Sequence, residues 1–159
     1  MERHVSFNER VDLPFRDVVD MLRTQPEAVL GAAHDAIAAV PGGAVVHMAM
    51  PMPSAPHDID VVLGEVTAID PHCVMIPMHW GHAEGAAWFP SIEGEIEVSD
   101  LAHASPMTQV SFIGKYRPRF GVLGTIVDAA GTHYLAEQTI QSFLTAICQH
   151  LTELATTDA

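Results

Sequence analysis

The chain has 159 residues, 48% of them hydrophobic, with a mean hydropathy of +0.20; that length buries one core without cross-links and is short for two domains. Lys plus Arg number 7 against 20 Asp plus Glu, a formal charge of −13, which excludes the basic surface that binding to nucleic acid or an anionic membrane requires. A neutral, cationic or mostly apolar ligand suits such a chain, and a homodimer interface is another use for its surplus of apolar residues. No apolar run reaches the ~20 residues of a membrane span, and the opening MERHVSFNER lacks the order of a secretion signal. Two cysteines, Cys73 and Cys148, make no disulfide framework and read as buried thiols, so the expectation is a cytoplasmic protein without membrane insertion.

Residues 4–13, HVSFNERVDL, alternate with Val5, Phe7 and Val11 between polar residues, the period of a half-buried strand. Pro14 suits a first helical turn and Asp12 its cap, so PFRDVVDMLRTQ reads as a helix with Phe15, Val18, Val19 and Leu22 inward. Pro26 restarts the chain as a second helix, PEAVLGAAHDAIAAV, which the breaker Pro41-Gly42-Gly43 ends. The periodicity then changes. GAVVHMAM, DIDVVLGEVTAI, HCVMIPMHW, SIEGEIEVSDL and TQVSFIGKY are β-rich runs separated by turn signals, hence five further strands. Over 92–98 the glutamates Glu93, Glu95 and Glu97 alternate with Ile92, Gly94, Ile96 and Val98, which places the acids in water and the others inside. The glycine-bearing run FGVLGTIVDAAG leads into an amphipathic helix over 132–154, whose inner stripe is Ala136, Ile140, Phe143, Ile147, Leu151 and Leu154. The expected fold is α+β in a single domain over 1–159: a curved antiparallel sheet of six or seven strands around a long C-terminal helix, with two short helices after the first strand.

That order resembles the helix-grip fold of the START-like superfamily, also called SRPBCC. The resemblance rests on WFPSIEGEIEV, VSFIGKYRPRFGVLG and TIVDAAGTHYLAEQTIQSFL, which look like segments of a bacterial branch of that superfamily. Its members include polyketide cyclases and dehydratases, plant pathogenesis-related carriers, lipid-transfer domains and quinone-binding proteins. The resemblance implies a hydrophobic chamber between sheet and terminal helix and does not name its guest; none of the segments is a catalytic signature. It also implies seven strands where six are read, with the seventh expected near 86–90 or as a strand bending across that loop.

Several residues could serve such a chamber. Met48, Met50 and Met52 cluster at one strand end and Met75 and Met78 lie in another; they would line a pocket for a flexible guest or fill a Met-rich core. Aromatic residues offer a wall with polar handles. The expected cavity set is therefore Met48, Met50, Met78, Trp80, Trp88, Phe89, Gly94, Ile96, Phe112, Tyr116, Phe120, Tyr134 and Phe143. His79 and His82 stand three apart with no third ligand nearby, so no metal site is expected, and no cofactor fingerprint, GxSxG, phosphate loop or HExxH occurs. His47, mid-strand among apolar residues, is a hydrogen-bond donor or acid–base group if it points inward and a satisfied surface histidine otherwise. Asp58 with Asp60 reads as a solvated strand start, and Lys115, Arg117 and Arg119 form a small basic patch able to hold a carboxylate or the surplus acids. Three functions follow: a carrier or sensor of a small hydrophobic molecule, a polyketide cyclase or dehydratase using His47, His79 or Tyr116, and a non-enzymatic interaction module.

Overall fold

The computed structural model describes residues 2–30, 37–40, 43–50, 57–82, 91–101, 106–117 and 129–157, with side chains at all of these except 37–40, 43–50, 57–60, 80–82, 117, 129–136 and 139. Strand β1 (Arg3–Val11) is followed by helices α1 (Phe15–Thr24) and α2 (Pro26–Leu30). Strands β2 (Ile37–Val40), β3 (Gly43–Met50), β4 (His57–Leu63), β5 (Thr67–Asp70), β6 (Cys73–His82), β7 (Ser91–Asp100) and β8 (Thr108–Arg117) come next, and helix α3 (Ala129–Thr157) closes the series.

All strand pairs are antiparallel and form one curved sheet in the order β1-β8-β7-β6-β4-β3-β2, with β5 also paired to β6. The N-terminal strand thus pairs with the last one. Strands β4 and β5 lie one after the other along the same side of β6, so the sheet is seven positions wide. The run DIDVVLGEVTAI, expected as one strand, breaks at Gly64-Glu65-Val66. Pro77 explains the break: its carbonyl accepts from the Gly64 N–H at 2.7 Å, but proline has no N–H to return, and the ladder lapses there.

Two expectations change. The second helix is described over Pro26–Leu30 and does not extend through 37–40, because Ile37–Val40 forms β2, paired with β3 from Ile37↔Val46 to Val40↔Gly43. The alanine-rich run 36–40 has helix propensity, yet backbone pairing to an adjacent strand outweighs so weak a local preference. This strand supplies the seventh position, whereas residues 86–90 lie outside the described residues. Asp12 also does not cap α1; Pro14 holds the N-cap position with no side-chain cap hydrogen bond.

The inward residues of the sheet follow strand alternation. On β7, Ile92, Ile96 and Val98 are buried, Glu93 is exposed, and Glu95 and Glu97 are half-buried. Helix α3 packs on β1, β8 and α2 and presents Ile140, Phe143, Leu144, Ile147, Cys148 and Leu151, all buried. Each large aliphatic or aromatic side chain so buried contributes about 1.5–3 kcal/mol. At one end of the sheet the buried Thr108 hydroxyl donates to the Leu13 carbonyl at 2.7 Å, fixing the turn that leads into α1. Val18, Val19, Met21 and Leu22 then anchor α1, and Val29 and Leu30 anchor α2.

Candidate functional site

The chain turns between Thr24 and Pro26, because proline at the start of α2 cannot continue the ladder of α1. Gln25 joins the two: its N–H donates to the Met21 carbonyl at 2.8 Å, and its own carbonyl accepts from Ala28 and Val29 at 3.1 Å. The resulting corner stands over the sheet where β4 gives way to β5. Between them lies a cleft of about 400 Å³, lined by Leu22, Arg23, Pro26, Leu30, Leu63, Gly64, Glu65, Val66, Ile76 and Ile96. That volume falls in the range of small-molecule sites, roughly 300–1,000 Å³.

The walls are aliphatic. Leu63, Ile76 and Ile96 are buried residues of β4, β6 and β7, and Leu22 and Leu30 come from the two helices. Val66 is half-buried, and the charged groups Arg23 and Glu65 are exposed at the rim. Among the described residues neither Arg23 nor Glu65 is held in an ion pair. Gly64 is tightly placed: a Cβ there would stand 3.1 Å from the Pro77 Cβ, so the lip of the cleft follows the backbone closely.

Of the residues expected to line a cavity between sheet and terminal helix, Ile96 borders this cleft at the α1–α2 corner. Met78, Phe112, Tyr116 and Phe143 are buried in the core away from the cleft lining. Gly94 shares the inward alternation of Ile92 and Ile96 and is covered there by a neighbouring ring. It pairs with Gly114, and a Cβ on Gly94 would meet the Ile113 carbonyl oxygen, the Gly114 Cα at 2.7 Å and the Phe112 Cζ at 2.8 Å. The Phe112 ring also lies over Gly114, its Cζ 2.6 Å from where a Cβ would stand. An aromatic ring thus covers a cross-strand glycine pair and fills the concave face there. The side chains of Met48, Met50, Trp80 and Tyr134, and all of Trp88, Phe89 and Phe120, lie outside the described residues.

Of the expected acid–base candidates, His79 and Tyr116 do not line the cleft, and the side chain of His47 lies outside the described residues. His79 is exposed, on the opposite face of β6 from buried Met78, and pairs in register with Glu93 and Val62. His47 lies in register with Asp60, with side chains at both positions outside the described residues. Tyr116 is buried and its phenol is pushed up by burial; the Arg3 guanidinium opposes the shift and Glu137 adds to it, with Arg3 also hydrogen-bonded to the phenol. This cluster joins β1, β8 and α3. Lys115 is engaged by Glu2 at 3.4 Å and Glu93 at 3.8 Å, and it does not line the cleft.

Both cysteines are free; Cys148 is buried and Cys73 half-buried. Burial first, and then the charge and hydrogen bond of Glu9, push the Cys148 thiol up to about 12. The Thr145 hydroxyl donates to the same Glu9 carboxylate, so a β1 acid is held by two groups of α3. Among the described residues no group of three or more His, Cys, Asp or Glu could hold a metal ion, and no helix is long and apolar enough to cross a membrane.

Neither a protein-family model nor a curated protein sequence matches the chain. Solved structures do. The Zhui aromatase/cyclase from Streptomyces sp. R1128 superposes with a TM-score of 0.65 at 14% identity, over 96% of this chain and 94% of that one. The chain has the helix-grip fold. A conserved protein from Geobacillus kaustophilus gives a TM-score of 0.64 at 14% identity, over 95% and 96% of the two chains. Norcoclaurine synthase from Thalictrum flavum, solved in complex with dopamine and hydroxybenzaldehyde, gives 0.58 at 10% identity, over 100% and 89%. At such identities the likeness is one of fold.

The sequence reading missed Leu22, Arg23, Pro26, Leu30, residues 63–66 and Ile76 as cleft residues. Two signals marked the place: Pro26, which breaks the helical region, and Pro77, which interrupts the ladder opposite Gly64.

Proposed function

We propose that this protein binds a small hydrophobic molecule in the cleft between the α1–α2 corner and the sheet, acting as a carrier or sensor. The observation that carries this reading is the cleft of about 400 Å³, walled by aliphatic side chains from five elements and open at a rim bearing Arg23 and Glu65. Solved proteins of the same fold include an aromatase/cyclase and a synthase holding two small aromatic molecules, which supports a small organic guest. Cyclase or dehydratase chemistry would need an acid and a base converging on the guest. Among the described residues the titratable groups at this cleft are Arg23 and Glu65, both exposed, and this favours binding over turnover.

Comparing native and denatured masses of gently purified protein tests the reading, together with titration of a neutral apolar fluorophore. Val66→Trp should block the lip and weaken fluorophore binding at least tenfold, ~1.4 kcal/mol. Unchanged binding by a folded Val66→Trp protein would refute this location.

A further inference from the structure

The short helix α2 forms one wall of the cleft through Pro26 and Leu30. Its position is set by what its described residues touch. Val29 and Leu30 are buried, and α2 packs on α1, α3 and β3. One long-range polar contact fixes it further: the half-buried His150 of α3 places Nδ1 2.9 Å from the Val29 carbonyl oxygen. A carbonyl only accepts, so Nδ1 carries the proton. The acceptor immediately precedes the cleft residue Leu30.

We infer that His150 is a positioning residue for the ligand cleft: its hydrogen bond to the Val29 carbonyl sets where the α2 wall stands relative to α3, and so the fit of the guest against Leu30 and Pro26. The inference rests on the cleft being the binding site. His150 does not itself line it. The inner face of α3 around it, Ile147 and Leu151, is buried in the core, so the frame that His150 is tied to is fixed and α2 is the part that would shift.

The test compares His150→Ala with His150→Asn, whose side-chain amide nitrogen occupies nearly the place of Nδ1. Nile red serves as the neutral probe, and amide hydrogen exchange at Ala28, Val29 and Leu30 reports on α2 without any ligand. His150→Ala should weaken Nile red binding about fivefold, the ratio corresponding to one hydrogen bond of ~1 kcal/mol. It should also speed exchange at those amides while exchange at Ile147 and Leu151 stays as in wild type. His150→Asn should stay within about twofold of wild type in both readouts. Unchanged exchange in α2, or an asparagine variant as impaired as alanine, would overturn the proposal. Faster α2 exchange with unchanged probe affinity would overturn its link to the cleft. If wild type binds no probe while the alanine variant still frees α2, the ligand-site reading fails and the latch between α3 and α2 stands alone.

Discussion

The two ends of the concave face carry the same alternation of apolar residues, yet among the described residues one is filled by its own side chains and the other borders a cleft. At the closed end Phe112 lies across the Gly94–Gly114 pair, and Tyr116, Phe143 and Ile140 fill the space beneath α3. At the open end Ile96, Ile76 and Leu63 point from the sheet toward a corner of two short helices that leaves about 400 Å³ uncovered. Alternation decides which side chains point inward. What stands opposite them decides whether they meet a neighbour or a guest. Large aromatic residues fill volume, so the region richest in them closes, while aliphatic residues facing a proline-made corner leave room.

The sharpest way to break this contrast is to force a side chain into the closed end. Gly94→Leu should abolish cooperative folding, seen as loss of a urea transition, because its Cβ would meet backbone atoms of β8 that cannot move aside. A cooperative transition near the wild-type midpoint would mean that this end has room after all. Phe112→Ala should keep the fold but cost about 3–5 kcal/mol in urea unfolding, since the glycine pair then loses its cover. A loss under ~1 kcal/mol would show that the ring is not part of a filled core.

A smaller effect depends on pH. The Cys148 thiol, raised from 9.0 to about 12 by burial and by Glu9, and the raised Tyr116 phenol both stay protonated in the folded state at pH where the unfolded groups begin to ionise. Their contribution is complete below the unfolded pKa values and is lost as pH rises through the folded ones. Stability should therefore fall as pH climbs above ~9, by at most ~1.4 kcal/mol per pH unit for the cysteine, and Cys148→Ala should flatten the decline. A profile identical in that variant would contradict the assignment. The smallest expected change in stability comes at the open end: Leu30→Met, a substitution of similar volume, should alter urea stability by under ~1.5 kcal/mol while shifting probe affinity measurably. An affinity equal to wild type would place the guest away from the α2 wall.

The contrast also explains what could be read from the sequence. Helix α3 was legible because a stripe at helical spacing survives over many turns, and β7 because its three glutamates alternate with buried residues. Strand β2 was not, since four residues after an alanine-rich run carry little local signal and their state is set by pairing with β3. The cleft was the least legible part. Its lining comes from residues 22–30, 63–66, 76 and 96, ordinary aliphatic positions that only tertiary structure brings together. Of the aromatics and methionines expected to line a cavity, Phe112, Met78, Tyr116 and Phe143 are buried in the core and do not line this cleft, and the side chains of the others lie outside the described residues. Gly94 had the right face and alternation, but the cross-strand partner that brings the Phe112 ring over it is not visible in local sequence.

The most direct measurement is a methyl NMR titration of the labelled protein with a neutral apolar ligand, following Leu, Ile and Val methyl groups at both ends. The expected result is saturable shifts at Leu22, Leu30, Leu63, Val66, Ile76 and Ile96, with Val5, Ile92 and Ile140 unmoved. Shifts centred on Val5, Ile92 and Ile140, or none up to millimolar ligand, would contradict a binding cleft at the α1–α2 corner.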